Sequence, residues 1–175
     1  HVACMCMQAS CSQIIDTYVH VDGSSKEQKD AASSSAFGSN VVHFHEDGAF
    51  SFGGSFAHKV GVGESAPIFI GAEKDSSNTA ELSGYLMVVL WLFQAGLRRA
   101  CICYDTKYAD AISTSEWRAS QNIRLANIAS GLYKGLEAMM GVRSNHVYGH
   151  DWHPWNEWAD VLADSAADGN QIGSA

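Results

Sequence analysis

The chain has 175 residues, 46% hydrophobic and only 17% charged, enough apolar material for one globular domain with a real core. Nineteen acids against eleven bases give a formal charge of -8, the wrong sign for a protein holding nucleic acid on a broad basic surface, so any polyanion contact has to be local. Five cysteines, an odd number without framework spacing, exclude a disulfide scaffold, and no run of about 18 apolar residues or secretory leader points to a membrane. The expected location is an intracellular, reducing compartment, cytoplasm or nucleus. The first residue is His1 rather than Met, and the chain is expected to be a fragment of something longer.

Residues 1–16 lack periodicity and read as a poorly ordered leader, followed by a domain over 17–167 and a tail over 168–175. Cys4, Cys6 and Cys11 with His1 match no common zinc spacing and are assigned to the leader. Thr17, Val19 and Val21 alternate with Tyr18, His20 and Asp22, a period of two that predicts a strand ended by Gly23, Ser24 and Ser25. Lys26 to Ser35 is polar and serine-rich and reads as a flexible loop before a second strand through Ala36, Phe37, Val41, Val42 and Phe44. Asp47-Gly48 is a hairpin signal. It leads to a third strand over Ala49 to Val60, with Phe50, Phe52 and Phe56 on one parity and a bulge at Gly53-Gly54. Gly61 to Ser65 and Lys74 to Ser77 read as loops around an apolar run at Ile68, Phe69 and Ile70 that has no assigned place. Asn78 or Thr79 is expected to cap a helix running to about Ala95, apolar all round and so central and covered, with Gly96 ending it. Ala100 to Tyr104 is the next strand, Tyr108 to Ile112 a short helix, Ser115 to Met140 a long amphipathic helix stopped by Gly141, Asn145 to Tyr148 a last strand and Pro154 to Ala167 a last helix. This order implies an α/β domain with a mixed sheet and helices on its faces.

Four acids occupy places where a core-forming pattern prefers apolar residues: Asp22 after a strand, Glu81 opening the apolar helix, Asp105 closing a strand, and Asp160 in a tryptophan-rich helix. Taken singly each has an ordinary reading as a turn residue, a helix-dipole charge, a strand-end cap or a solvated face. Gathered together they would repel one another prohibitively unless cations compensated them, and carboxylate oxygens favour hard ions such as Mg²⁺ or Mn²⁺. The spacing from Glu81 to Asp105 is what a helix, a turn and a strand need for the two acids to meet. Other clusters read as structural. His43, His45 and His58 are taken as an exposed strand face, His146, His150 and His153 as no zinc site, and Trp152, Trp155 and Trp158 as packing residues.

The segments Tyr18-Val19-His20-Val21-Asp22-Gly23-Ser24, Asn78-Thr79-Ala80-Glu81-Leu82, Cys103-Tyr104-Asp105-Thr106, Tyr148-Gly149-His150 and Asn156-Glu157-Trp158-Ala159-Asp160 together resemble the ribonuclease H family in its type-one form. The resemblance covers most of Thr17 to Ala167. It implies a ribonuclease H-like fold with a five-stranded mixed sheet, and an endonuclease that cuts the RNA strand of RNA–DNA hybrids with two Mg²⁺ ions, Mn²⁺ substituting, to leave 5′-phosphate and 3′-hydroxyl ends. In-line displacement at phosphorus with two metals about 4 Å apart needs one bridging carboxylate. The resemblance makes Asp22 that bridge, with Asp160 completing the water-activating metal and Glu81 and Asp105 holding the second. His150 matches the family's mobile proton-shuttling histidine. Asn78 matches an asparagine that contacts the hybrid in the minor groove, where 2′-hydroxyls mark RNA; Ser24 and Ser25 are placed as backbone donors. Asn156 and Glu157 match positions that steady the loop and the ligands.

The family's basic protrusion is not evident in Ser113 to Ser144, where Arg118, Arg124, Lys134 and Arg143 are scattered, so low hybrid affinity is expected of the isolated domain. Two bound divalent ions would halve the formal charge of -8. The departures fit a retroelement-associated or otherwise divergent domain, with a reverse transcriptase domain in the same parent chain as the expected partner and a monomeric state in isolation. Two rival functions stay open: a catalytically weak hybrid-binding or tethering module of a retroelement polyprotein, and a DNA-directed nuclease on the same fold.

Overall fold

The structure, a computed structural model, describes residues 12–26, 34–148 and 153–170. Its main sheet has five strands, β1 (Ile14–Lys26), β2 (Ser34–His45), β3 (Phe50–Lys59), β6 (Arg99–Tyr104) and β7 (Gly141–His146), in the order β3-β2-β1-β6-β7. The first three form an antiparallel meander, and β6 and β7 add in parallel to β1. A mixed sheet follows because hairpins join the meander, whereas β6 and β7 each return through a helix. The helices are α1 (Ser77–Ala95), α2 (Lys107–Ser113), α3 (Ile123–Met139) and α4 (Pro154–Ala167). The first three layer on one face of the sheet and α4 packs on the other, against β1, β2 and β3.

The core forms on the α1 side, from Val19, Val21 and Val41 of the sheet, Leu82, Tyr85, Leu86, Val89 and Leu92 of α1, and Leu125, Tyr133 and Leu136 of α3. As its all-round apolar sequence requires, α1 is covered by the sheet beneath and by α2 and α3 above. Its N-cap is Ser76, whose Oγ accepts from the Thr79 backbone N–H, rather than Asn78 or Thr79; Gly96 ends the helix in the left-handed conformation. Asp47-Gly48 makes the expected turn, Asp47 Oδ1 accepting from the Ala49 N–H. The expected bulge lies at Gly53, between the pairs Val41–Gly54 and Val42–Phe52. It reverses the parity of β3, so Phe50 and Phe52 lie on the α4 face beside Trp155 while Phe56 turns to the core.

Several sequence-based boundaries shift. The β1 strand begins at Ile14, inside the stretch assigned to a leader, because Ile14 pairs with His45. The expected loop from Lys26 to Ser35 is strand at both ends, Lys26 pairing with Ser34; its remaining residues, 27–33, lie outside the described residues. Polar side chains extend this hairpin because α4 supplies partners, Ser34 Oγ donating to the Ala167 carbonyl and Lys26 Nζ pairing with Asp168. The helix expected from Ser115 begins only at Ile123, since Ser115 and Asn122 hold positive φ values of 67° and 52° that a right-handed helix cannot pass through. The last strand spans Gly141–His146 rather than Asn145 to Tyr148; it is a half-buried edge whose residues lack apolar alternation. The unassigned run falls in β5 (Phe69–Ala72), which pairs with β4 (Gly61–Val62) in a separate two-stranded sheet and lies against α3.

Candidate active site

The four acids arrive from four elements at the carboxyl ends of the parallel strands. In β1, Asp22 directly follows Val21, which pairs with Tyr104, so Asp105, one residue past β6, comes beside Asp22. Glu81 enters from the first turns of α1 because α1 sits almost on the backbone of β1. A Cβ at residue 23 would lie 2.5 Å from the Glu81 nitrogen, so only glycine admits this approach. From the opposite face α4 approaches β2 just as closely, where a Cβ on Gly38 would lie 2.4 Å from the Ala159 carbonyl oxygen, and this brings Asp160 to the same place. Carboxylate oxygens of Asp22, Glu81 and Asp105 all lie within 4.8 Å of one another. Asp22, Gly23, Glu81, Asp105, Asn156, Glu157 and Asp160 line one depression of about 200 Å³.

The electrostatics of this cluster are those of crowded, poorly hydrated carboxylates. Asp22 and Glu81 are only 6% and 5% exposed. Burial first, then the Asp105 charge, pushes the Asp22 carboxyl up to about 8, with smaller contributions from Asp160 and Asp164 and an opposing hydrogen bond from the Gly23 N–H. Glu81 is pushed well above the usual carboxylate range, again by burial first and then by Asp22 and Asp105; hydrogen bonds from Thr106 and Gly23 oppose the shift. An all-oxygen donor set that resists shedding its protons is suited to a hard divalent cation, which restores the ionised form.

The remaining site residues divide. Asn78 is exposed in the first turn of α1, three residues before Glu81. Ser24 donates to Asp164 at 2.5 Å, whereas Ser25 accepts from Ser35 at 2.9 Å, a bond that does not use the Ser25 hydroxyl hydrogen. Asn156 is buried and Glu157 half-buried on the wall of the depression. His150, with Trp152 and the N-terminal cysteines, lies outside the described residues. Of the other histidines, His43 bonds Thr17 and His45 bonds Ser51, whereas His146 Nε2 donates to the Asp105 carbonyl at 2.8 Å and so steadies a residue of the cluster. Trp155 stacks on Phe52 as a packing residue, but Trp158 is 43% exposed, because the buried stripe of α4 runs through Ala159, Leu162, Ala163 and Ala166.

Thr106, Asp164 and His146 escaped the sequence reading of the site. Thr106 follows Asp105 directly and Asp164 stands one helical turn beyond Asp160, so both had a positional signal; His146 had none, because its role depends on the pairing of β6 with β7.

No family model and no curated protein matches the sequence. Solved structures do match. The ribonuclease H1 of the halophilic archaeon Halobacterium salinarum NRC-1 superposes with a TM-score of 0.60 at 18% identity, covering 88% of this chain and 98% of that one. The N-terminal RNase H domain of a Mycobacterium tuberculosis protein gives 0.60 at 16% identity, covering 90% and 96%. The PFV RNase H domain gives 0.63 at 12%, covering 89% and 96%. Identities this low speak to architecture, and on that ground the five-stranded mixed sheet with its flanking helices has the fold of the type-one ribonuclease H domains.

Proposed function

We propose that the chain is an endonuclease that hydrolyses the RNA strand of RNA–DNA hybrids, leaving 5′-phosphate and 3′-hydroxyl ends. The observation that carries this reading is the packing of Asp22, Glu81 and Asp105 within 4.8 Å, with Asp160 on the same depression, on a ribonuclease H fold. Two Mg²⁺ ions, or Mn²⁺ in their place, held by Asp22 between Asp160 on one side and Glu81 and Asp105 on the other, would activate the attacking water and neutralise the leaving oxygen at phosphorus. The Gly23 N–H and the Thr106 side chain hold the Asp22 and Glu81 carboxylates in place, and His146 holds the Asp105 backbone. Asn156 and Glu157, on the same wall as Asp160, steady the metal-facing side of α4. Asn78, exposed beside the cluster, contacts the hybrid's nucleotides, and His150 moves a proton during turnover.

Among the neighbours by fold, LC11-RNase H1 is known in complex with an RNA/DNA hybrid, at a TM-score of 0.57, and another belongs to a foamy viral protease-reverse transcriptase, at 0.58. By that likeness the chain works beside a reverse transcriptase domain in one parent protein; a monomeric state in isolation is part of the same proposal and is read by size-exclusion chromatography with light scattering. Among the described residues no helix is long and apolar enough to cross a membrane. Incubating the purified chain with labelled RNA–DNA hybrid, double-stranded RNA and double-stranded DNA, each with Mg²⁺, Mn²⁺ or EDTA, tests the proposal. Metal-dependent cutting of the hybrid's RNA strand alone is expected. Hybrid binding without cutting would make the chain a tethering module, and cutting of DNA would make it a DNA-directed nuclease.

A further inference from the structure

Asn122 stands apart from its surroundings. It is only 4% exposed, yet it follows an exposed stretch and precedes Ile123, which is 52% exposed. Its backbone is left-handed, at φ 52° and ψ 44°, a conformation that costs any residue with a Cβ and that asparagine merely tolerates better than most. Its own helix does not use the side chain, because no side-chain capping bond runs from Asn122 into α3. Instead the carboxamide points across to the turn between β5 and α1. Oδ1 accepts from the backbone N–H groups of Glu73 and Lys74, both at 2.8 Å, and Nδ2 donates to Thr79 Oγ1 at 2.9 Å. Thr79 Oγ1 in turn donates to the Lys74 carbonyl at 2.8 Å, and the Ile123 N–H donates back to Glu73 Oε2 at 3.0 Å. The start of α3 and the entrance of α1 are thus clasped from both sides.

That turn carries Ser76, which caps α1, and leads directly to the exposed Asn78. Glu81, one turn further on, is held by other means: the close approach of α1 to Gly23, the hydrogen bond with Thr106, and the burial of the helix. Removing the clasp would therefore loosen the groups that meet nucleic acid and leave the carboxylate cluster in place.

We propose that Asn122 is a positioning residue for the substrate: it fixes the Glu73–Asn78 segment, and through it Asn78, against the hybrid. The inference rests on the hybrid-cleavage reading above. Its test separates the side chain from the backbone. Asn122→Gly keeps the left-handed backbone without strain and deletes all three hydrogen bonds. Asn122→Asp keeps both acceptor bonds, and Thr79→Val removes the clasp's other half should the glycine variant fail to fold. For Asn122→Gly, KM for hybrid is expected to rise about tenfold, the worth of one or two net hydrogen bonds, with kcat and Mn²⁺ affinity within about twofold of wild type. Asn122→Asp should recover most of that loss, and Thr79→Val should raise KM in the same direction. A wild-type KM in Asn122→Gly, or a fall in kcat and Mn²⁺ affinity matching the rise in KM, would overturn the proposal. Hydrogen exchange supplies a readout that needs no activity: the Glu73 and Lys74 amides should exchange faster in Asn122→Gly. If the wild-type chain cuts no hybrid, the functional reading fails by itself, while unchanged exchange at those two amides overturns the clasp.

Discussion

At the scale of single residues the site is a problem of crowded negative charge. Asp22 has acids on several sides, Asp105, Asp160 and Asp164, with the Gly23 N–H opposing them. Replacing it by the neutral, near-isosteric Asn should therefore leave apo stability unchanged or raised. Cleavage of hybrid should fall below about a tenth of wild type, because an amide cannot serve as a bridging ligand. Thermal melts with EDTA and a hybrid-cleavage assay read the two effects, and residual activity above that level would remove Asp22 from the bridging role. The same charges set a pH dependence. Folding raises the Asp22 pKa from 3.8 to about 8 and moves Glu81 in the same direction, so the folded apo chain binds protons more tightly than the unfolded one. Their favourable contribution is complete below the unfolded values and is lost as pH rises through the folded ones. The Tm of the apo protein should accordingly fall between about pH 4 and pH 8, and millimolar Mn²⁺ should flatten that fall. A Tm that rises across this window with EDTA present would contradict the buried, mutually repelling arrangement.

Among the elements, the two closest approaches decide whether the acids meet at all. The α1 helix reaches β1 over Gly23, and α4 reaches β2 over Gly38, where an added Cβ would lie 2.4 Å from the Ala159 carbonyl oxygen and 2.5 Å from the Ala163 nitrogen. Those neighbours are backbone and cannot swing aside. Gly38→Ala should therefore displace α4 and cost about 2 kcal/mol or more of stability. Because α4 carries Asp160, Asn156 and Glu157, and Gly38 pairs across the sheet with Asp22, hybrid cleavage should fall more than tenfold although residue 38 contributes no side chain to the site. Urea unfolding and kcat measured together check this; a variant as stable and as active as wild type would show that α4 has room to spare. Neither approach was legible in the sequence, where Gly38 is a glycine inside a strand pattern and Gly23 reads as a turn residue. Their meaning comes from the helix lying over each of them. The Ser115 helix was misjudged for a related reason, since the left-handed residues Ser115 and Asn122 are stabilised by partners distant in sequence, Ser130 for the first and Glu73, Lys74 and Thr79 for the second.

For the whole molecule the governing fact is an acidic net charge with several of its bases already paired. Arg124 pairs with Glu64 and Arg143 with Asp16, so two of the four scattered cations are paired within the protein, and Lys26 pairs likewise with Asp164 and Asp168. Hybrid binding should be weak and only mildly salt-dependent, with log K against log[salt] falling at about -0.9 per phosphate neutralised and roughly two to four phosphates involved. Fluorescence anisotropy with Ca²⁺ in place of Mg²⁺, from low to physiological salt, measures that slope, and a much steeper one would reveal a phosphate-binding surface assembled from elsewhere. What the sequence determined by itself was the element order, the mixed sheet, the central apolar helix and the four acids in their places. All of these rest on short-range signals: a period of two or of 3.6, a turn dipeptide, a charge out of pattern. The tertiary structure alone decided that Asp22, Glu81 and Asp105 come within 4.8 Å, that Ser24 donates to Asp164, and that His146 and Asn122 serve positions far along the chain. Hydrogen bonds and close approaches between residues dozens of positions apart leave no local trace, because their geometry exists only once the sheet has paired and the helices have settled on it.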